Sequence, residues 1–200
     1  MPKLVDHAER RTEIAQALVR AAGRRGLHAV GMRDVAAEAG VSLRLVQYYF
    51  ESKEKLLLFG LRHLADKFGE RVAARVRAAG AGPGPRAVIE ALLTAALPVD
   101  EESRLFHHLY TSYAVLSVTD EALAAQPFIK DPDAAEETLS RVLHQAADAA
   151  LLRPGVDTRA AAIGLLAMSA GLGTSVLVGQ RDAESATTVL NYHLDQIFRQ

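Results

Sequence analysis

The sequence AGVSLRLVQYYFESKEKLL, which runs from Ala39 to Leu57, contains a short segment with an unusual surface composition. A Gly-Val-Ser break opens the segment, which is only about two helical turns long. It then carries Leu, Arg, Gln and two Tyr residues almost without interruption. A helix that serves only structure more often exposes Glu, Lys and Ala, so this segment is a candidate for contact with a partner.

The same residues predict two short helices joined by a tight turn. Gly40 permits a left-handed turn conformation, Val41 is expected to be buried, and Ser42 is expected to cap the second helix. Val46 and Phe50 are four residues apart, so they share the face that packs on the core. The opposite face, which is exposed to solvent, then carries Leu43, Arg44, Gln47 and Tyr48.

That exposed face has the residue types that read DNA. Arg and Gln hydrogen-bond to base edges, Leu can contact the thymine methyl group, and Tyr can reach a phosphate. The geometry matches a helix-turn-helix whose second helix enters the major groove. The alternative from these residues alone is a helical corner of a bundle, in which Tyr48 and Tyr49 only pack.

The rest of the chain predicts an all-α protein with about nine helices. The 200 residues are half apolar and include no Trp, and no run alternates with period two. After the first three helices we expect a long helix capped by Ser52, a Gly/Pro-rich linker, and a larger bundle. The bundle helices are predicted near residues 86–97, 101–117, 120–126, 133–152, 158–179 and 183–199. Their predicted N-caps include Asp100, Thr119, Asp131 and Asp157.

The charge balance, the absence of cysteine and the N-terminal residues limit the kinds of site and the cellular location that we expect. The net charge is −1, but residues 1–55 hold 10 basic and 7 acidic residues, a net of +3. The chain contains no cysteine, which excludes disulfides and thiolate metal sites. The N-terminal residues lack the apolar core of a signal peptide, so we expect a cytoplasmic location.

One uncharged segment, residues 160–180, is long enough to span a membrane. It is rich in Ala, Gly, Ser and Thr, so we expect a buried helix of a soluble bundle and no membrane partner.

The stretch from Arg10 to Leu57 resembles the N-terminal domain of the TetR family of transcriptional regulators. The matching features are an apolar first helix ending at Gly26, the Asp-Val-Ala step at 34–36, Ala-Gly-Val-Ser at 39–42, and Tyr-Phe followed by Ser-Lys-Glu-Lys-Leu-Leu at 49–57. The resemblance implies a DNA-binding domain over residues 1–51, a connecting helix over 52–79, and a ligand-binding and dimerisation domain over 86–200. It also implies a regulator rather than an enzyme, specifically a repressor that a small molecule releases from its operator.

The resemblance carries DNA-contacting roles to particular positions. Three positions depart from the family's usual residues, because Arg44 replaces a small residue, Gln47 a Tyr and Gly31 a capping Thr. We expect Arg44 and Gln47 to read bases, and Arg33 and Lys53 to hold phosphates. The full set of predicted DNA-binding residues is Arg33, Ser42, Leu43, Arg44, Gln47, Tyr48, Tyr49 and Lys53. The implied DNA partner is a palindromic double-stranded operator. The protein is expected to bind it as a homodimer, whose two subunits contact each other through their last two helices.

The family also implies a small-molecule pocket in the bundle, but no motif fixes its lining. The stretch RLFHHLYTSYAVL, residues 104–116, is the most suggestive, because aromatic residues recur on one side. The alternative is ordinary core packing. The candidate lining residues are Phe68, Phe106, His107, Tyr110, Tyr113, Phe128 and Met168.

No catalytic or metal-binding constellation is predicted, and no cofactor is expected. The sequence has no His-x-x-x-His and no Gly-x-Ser-x-Gly. His144 and Asp148 are four residues apart, a spacing that favours a surface hydrogen bond over a metal site. The competing hypothesis is a helical enzyme or carrier in which the N-terminal helices only pack.

Overall fold

A computed structural model describes residues 7–26, 29–78, 82, 84–124 and 134–199. The predicted all-α fold is confirmed, since these residues form nine longer helices and one single-turn helix, with no β-strand among them. The helices are α1 (His7–Arg25), α2 (Met32–Ala39), α3 (Leu43–Phe50), α4 (Lys53–Ala78), α5 (Pro85–Ala95), α6 (Glu101–Ser117), α7 (Glu121–Ala124), α8 (Ala134–Asp148), α9 (Thr158–Leu177) and α10 (Ala183–Ile197).

The chain divides into two compact units. The first unit comprises Met1–Lys67 and His108–Ala124, and the second comprises Phe68–His107 and Ala125–Gln200. Both α4 and α6 therefore contribute residues to each unit. The predicted functional domains, 1–51, 52–79 and 86–200, stay a prediction.

The first unit is built on the apolar face of α1. Ile14 and Leu18 are buried there, as are Val46 and Phe50 of α3, in agreement with the spacing of four in both helices. Helices α1 and α4 approach closely at Gly60, where a Cβ would lie 2.9 Å from the Leu18 side chain.

The second unit has a continuous core made by α5, α8, α9 and α10. Its members are mostly Leu residues that are almost completely buried, which gives the dense aliphatic packing typical of helical bundles. The core includes Ile89, Leu93, Leu139, Leu143, Leu165, Leu190, Leu194 and Phe198.

Three helices end in the same hydrogen-bonded turn. At the end of α2, the Gly40 N–H donates to the Ala37 carbonyl and the Val41 N–H donates to the Ala36 carbonyl. This Schellman pattern needs a residue in the left-handed conformation, and Gly40 has φ 65°. Gly179 takes the same role after α9, and Ala150 takes it after α8.

The end of α8 corrects one predicted boundary. The helix predicted over 133–152 stops at Asp148, because Ala150 adopts φ 56° and the Leu151 N–H turns back to the Ala146 carbonyl. The helix predicted over 183–199 likewise ends at Ile197. Beyond it, Phe198 forms an isolated antiparallel bridge with Leu152.

Most of the predicted N-caps are confirmed. The Ser42 hydroxyl accepts from the Leu45 N–H at 3.2 Å, and the carboxylates of Asp100 and Asp157 accept from N–H groups of α6 and α9. The Thr119 prediction is wrong, because Asp120 accepts from the Leu123 N–H and so caps α7. Asp131 lies outside the described residues.

Candidate nucleic-acid interface and small-molecule site

Helix α3 presents a polar face on a firmly anchored backbone. The Ser42 cap fixes its beginning, and the buried Val46 and Phe50 fix its rotation. With that rotation Arg44, Gln47 and Tyr48 point to solvent, and 69% of Tyr48 is exposed. An exposed Arg and Gln one turn apart can both reach base edges when a helix of this length lies in a major groove.

Two other predicted positions on α3 are only partly exposed. Leu43 is half-buried, so it can offer part of its side chain to a thymine methyl group while the rest packs. The Tyr49 hydroxyl lies 3.1 Å from Nδ1 of His7, and its ring packs edge-on against Tyr48 at 5.2 Å between centroids. Tyr49 is thus held from both sides. The contact with His7 could not be predicted from local sequence patterns, because the two residues are 42 positions apart.

The start of α4 lies next to the end of α3 in the chain. The Ser52 hydroxyl accepts from the Lys55 N–H at 3.3 Å, which caps α4 as predicted. Lys53 is half-buried, whereas Arg33 on α2 is exposed. A capped helix start together with a basic side chain is an arrangement that attracts phosphate.

Arginines of α1 hold α2 in place through carboxylates. Arg20 and Arg24 both donate to the Glu38 carboxylate, and Arg25 donates to Asp34. These hydrogen bonds lower the pKa of Glu38 below its usual value. The pKa of Asp34 is lowered mainly by the hydrogen bond from the Gly31 N–H and then by Arg25.

The Gly31 contact explains how α2 begins without its usual cap. Gly31 has no side chain that could accept from the helix, but its own N–H donates to Asp34 at 2.9 Å. Half of a capping box is therefore kept.

A cation packs beneath α3 on the side opposite to its polar face. The guanidinium of Arg11 lies 5.3 Å from the centre of the Phe50 ring and 4.7 Å from that of Phe59. Both distances fall within the range of a cation–π interaction. Arg11 thus connects α1 to Phe50, one of the two buried residues that anchor α3.

In the second unit, Phe68 and Phe106 are stacked. Their rings are nearly parallel, with an interplanar angle of 3°, and their centroids are 5.1 Å apart. One turn further along α4, Arg71 pairs with Asp100 at 3.0 Å and Glu102 at 2.9 Å. Hydrogen bonds from Ser103, with a further one from Arg71, lower the pKa of Asp100 to about 2.

His107 is buried against α9. Its Nε2 lies 3.1 Å from the Thr174 hydroxyl, and its ring fills the space beside Gly173, where a Cβ would overlap the imidazole. Burial lowers the pKa of His107, and a hydrogen bond with the Ala96 backbone opposes that shift. The neutral form of the ring is therefore favoured, and its polar partners are the Thr174 hydroxyl and the Ala96 backbone.

The remaining candidate lining residues are distributed over both units. Tyr113 is completely buried in the first unit, and its hydroxyl donates to the Leu123 carbonyl at 3.3 Å. Tyr110 is half-buried in the same unit, while Met168 packs on the core of the second. Phe128 lies outside the described residues. The structure thus brings Phe68 and Phe106 into contact, and the roles of all seven residues stay a prediction.

A groove that the sequence did not reveal lies between α8 and the start of α9. It has a volume of about 340 Å³ and is lined by Glu136, Glu137, Ser140, His144, Thr158 and Arg159. His144 contacts the Thr158 hydroxyl at 2.9 Å, which replaces the predicted bond to Asp148. Among the described residues no group of three His, Asp or Glu side chains has the arrangement of a metal site.

Helix α9 has one buried and one exposed face. It is the one described helix that is long and apolar enough to cross a membrane, yet a third of its most apolar window is already buried inside the chain. The exposed face is made mainly of small or aliphatic residues, with Thr174 among them, and Val178 follows just after the helix end: Ala160, Ile163, Gly164, Ala167, Ala170, Gly171 and Thr174. Gly173, another small residue of α9, lies instead on the buried face beside His107.

Helix α10 is also divided between a core and an exposed side. Leu190 and Leu194 belong to the core of the second unit, whereas Val189 and Ile197 are only partly buried. Tyr192 exposes 61% of its surface.

Family profiles match most of the chain. Residues 14–58 match the profile of bacterial regulatory proteins, tetR family, and residues 85–199 match that of the BetI-type transcriptional repressor, C-terminal. The second match alone covers more than half of the 200 residues.

Curated relatives match over shorter stretches. The chain is 38% identical over 72 residues to the HTH-type transcriptional regulator PksA of Bacillus subtilis, covering 36% of this chain and 35% of that protein. It is 36% identical over 101 residues to the HTH-type transcriptional regulator BetI of Rhizobium meliloti, covering 50% and 48%. The chain thus spans half or less of the length of these two relatives.

Solved structures match over nearly the whole length. A transcriptional regulator from Rhodococcus sp. Rha1 is 28% identical with a TM-score of 0.78, covering 94% of this chain and 95% of that one. A regulator from Saccharomonospora viridis, solved in complex with choline, has a TM-score of 0.82 at 24% identity, covering 96% and 100%. Together with the profile matches, these likenesses identify the chain as a member of the TetR family of bacterial regulatory proteins.

Proposed function

We propose that this TetR-family regulator is a repressor that binds a palindromic DNA operator in the cytoplasm and leaves it when a small molecule binds. The observation that carries the proposal is the polar face of α3. Arg44, Gln47 and Tyr48 are exposed there on a helix that is capped by Ser42 and anchored by two buried side chains. A surface that only packed within the chain would not leave these three side chains in solvent.

The first experiment measures binding to the DNA that flanks the protein's own gene. Fluorescence anisotropy with that duplex, and with a scrambled duplex of equal length, is run at two salt concentrations. We expect preference for the flanking DNA and a steep loss of affinity as salt rises, since phosphate contacts release counterions. Equal binding to both duplexes at every salt concentration would contradict the proposal.

The role of Arg44 is tested by Arg44→Ala. Losing a bidentate contact to a base should reduce discrimination between matched and mismatched duplexes by about 1–3 kcal/mol. The matched control is Arg141→Ala, which removes an exposed arginine from α8 in the second unit. If Arg44→Ala weakens binding to all duplexes equally, Arg44 contacts only the DNA backbone.

Dimerisation would place two copies of α3 in successive major grooves about 34 Å apart. The exposed face of α9 supports this, because small residues let two helices approach closely and the face carries no charge. Tyr192 on α10 adds an exposed aromatic ring. Sedimentation analysis that finds only monomers at micromolar concentration would count against the homodimer.

Release by a small molecule requires that the ligand prefer the conformation that fits DNA poorly. Within the second unit, Phe68, Phe106, His107 and Met168 are the predicted lining residues. The anisotropy assay is repeated with a panel of small cations and apolar metabolites, choline among them. A compound that displaces the wild-type protein, but not a Phe106→Ala variant of normal DNA affinity, would support this part of the proposal.

A further inference from the structure

The junction between α3 and α4 carries an acidic residue in an unusual backbone conformation. Glu51 follows Phe50, the last residue of α3, and has φ 57°. Residues with a Cβ rarely adopt such a positive φ, and glycine is the usual choice. Glu51 therefore occupies a position at which its side chain is not favoured by the backbone.

The carboxylate of Glu51 holds the ammonium group of Lys55. The Nζ–Oε2 distance is 2.5 Å, and 71% of the Glu51 side chain and 62% of the Lys55 side chain are exposed. Hydrogen bonding and attraction by Lys55 lower the pKa of Glu51, so the carboxylate is ionised at neutral pH.

Stability does not account for this pair. Ion pairs exposed to this extent are screened by water and contribute little to folding. The carboxylates that join α2 to α1 are more protected, since 21% of the Glu38 side chain and 32% of the Asp34 side chain are exposed. The Glu51–Lys55 pair differs from them because both residues lie at one short junction and connect no distant helices.

The pair lies beside residues that are predicted to contact DNA. Glu51 stands two residues after Tyr49 and two residues before Lys53, and both of these are predicted to approach the DNA backbone. A carboxylate at this position repels phosphate, and it also occupies a lysine that could otherwise contact phosphate.

We propose that Glu51 is a built-in competitor of DNA, which keeps Lys55 from phosphate and so lowers affinity for every duplex without changing the preferred sequence. The inference rests on the proposed function as a DNA-binding repressor. Its effect belongs to the sequence-independent part of binding, because a carboxylate–phosphate competition does not involve base edges. The competitor would favour dissociation from random DNA.

The test is a double-mutant cycle of Glu51→Gln and Lys55→Gln, measured by anisotropy on the flanking and scrambled duplexes. Glu51→Gln should bind both duplexes at least about threefold tighter, with a salt slope steeper by about one per subunit. Lys55→Gln in the wild-type background should change little, and in the Glu51→Gln background it should remove the gain. Glu90→Gln, which breaks the pair of Glu90 with Arg86 in the second unit, controls for net charge.

Two results would overturn the inference. The first is a Glu51→Gln variant that binds both duplexes no more tightly than the wild type. The second is a gain that persists in full without Lys55. If the wild-type protein itself fails to prefer the flanking duplex, the proposed function fails first, so the two failures are distinguishable. Circular dichroism melting checks that every variant is folded.

Discussion

Ala150 performs a role that glycine performs at two other helix ends. Gly40, Gly179 and Ala150 all take a left-handed conformation and close the same pair of hydrogen bonds. Only Ala150 carries a Cβ, which is crowded against the backbone in this conformation. Natural sequences often retain such positions, because selection does not maximise stability.

Ala150→Gly should therefore stabilise the second unit. Relief of the strained φ is expected to raise the free energy of unfolding by about 0.5–1 kcal/mol, measured by urea denaturation. The neighbouring Ala149→Gly is the matched control, because the Ala149 N–H donates to the Gln145 carbonyl in a helical manner. That change should lower stability by about 0.5–1 kcal/mol. A decrease of equal size for both would contradict the assignment.

Gly173 requires its small size for a different reason. Its neighbour is the buried ring of His107, so Gly173→Ala must displace that ring or shift α9. We expect a loss of about 1–3 kcal/mol in the free energy of unfolding, as for other overpacked cores. Gly69→Ala on α4, where nothing lies within 4 Å of the added Cβ, should instead be stabilising. A neutral Gly173→Ala would show that His107 moves freely.

At the scale of single residues, the sequence predicts which type of residue a position needs better than it predicts which residues contact each other. Gly173 was recognisable as a small residue in an apolar helix, yet the reason for its size is a histidine 66 positions earlier in the chain. The same holds for His7 and Tyr49. Contacts between residues so far apart depend on the packing of whole helices, which local periodicity does not specify.

At the scale of helices, α1 and α2 are joined by ionised carboxylates. The pKa values of Asp34 and Glu38 are lowered from 3.8 and 4.5 in the folded protein. Groups with lowered pKa contribute stability above their unfolded pKa, and that contribution is lost as pH falls through the folded pKa. The first unit should therefore lose stability as pH is lowered below about 5.

The measurement is the urea midpoint of unfolding between about pH 7 and pH 3, followed by a probe in the first unit. Glu38→Gln removes one of the two carboxylates that join α2 to α1 and should flatten the acid limb of the curve. Glu13→Gln is the control, because Glu13 pairs with Arg10 inside α1 and joins no second helix. An acid limb unchanged by Glu38→Gln would exclude Glu38 as its source.

Periodicity was most informative for α3. The spacing of Val46 and Phe50 predicted its rotation, and the exposed Arg44, Gln47 and Tyr48 agree with it. It was least informative at helix ends, where Ala150 stopped α8 four residues early without any glycine or proline to signal it. The helix propensity of alanine favours continuing the helix, but the hydrogen bonds of the turn at Ala150 end it.

At the scale of the whole molecule, the exposed face of α9 leads to a prediction about assembly. Ala167 lies near its centre, with Ile163 and Gly171 one turn away on either side. Ala167→Glu would place a charge in the proposed contact between two copies of α9, so we expect the proposed homodimer to dissociate. Sedimentation equilibrium measures the shift, and operator affinity should fall with it.

Ala147→Glu on α8 is the matched control for that change. Ala147 is exposed in the same unit but lies outside the face of small residues on α9. The control should leave both mass and DNA affinity unchanged. If the Ala167→Glu variant is still dimeric, the interface does not lie on this face.

The sequence alone did not specify where the predicted small-molecule site lies. Aromatic spacing on α6 selected Phe106, Tyr110 and Tyr113 as one face, but these residues fall in different units. A stripe of aromatic residues looks the same whether it lines a cavity or fills a core. Only the way in which several helices pack distinguishes the two.

The carboxylate shared by two arginines on α1 affects how the chain tolerates change. When Arg20 is lost, Arg24 still neutralises Glu38, and the reverse is equally true. A scan of single alanine substitutions would therefore underestimate what the two arginines contribute together. Over evolutionary time either arginine can be substituted while the other is present. This epistasis would hide the contact with Glu38 from any survey of single substitutions.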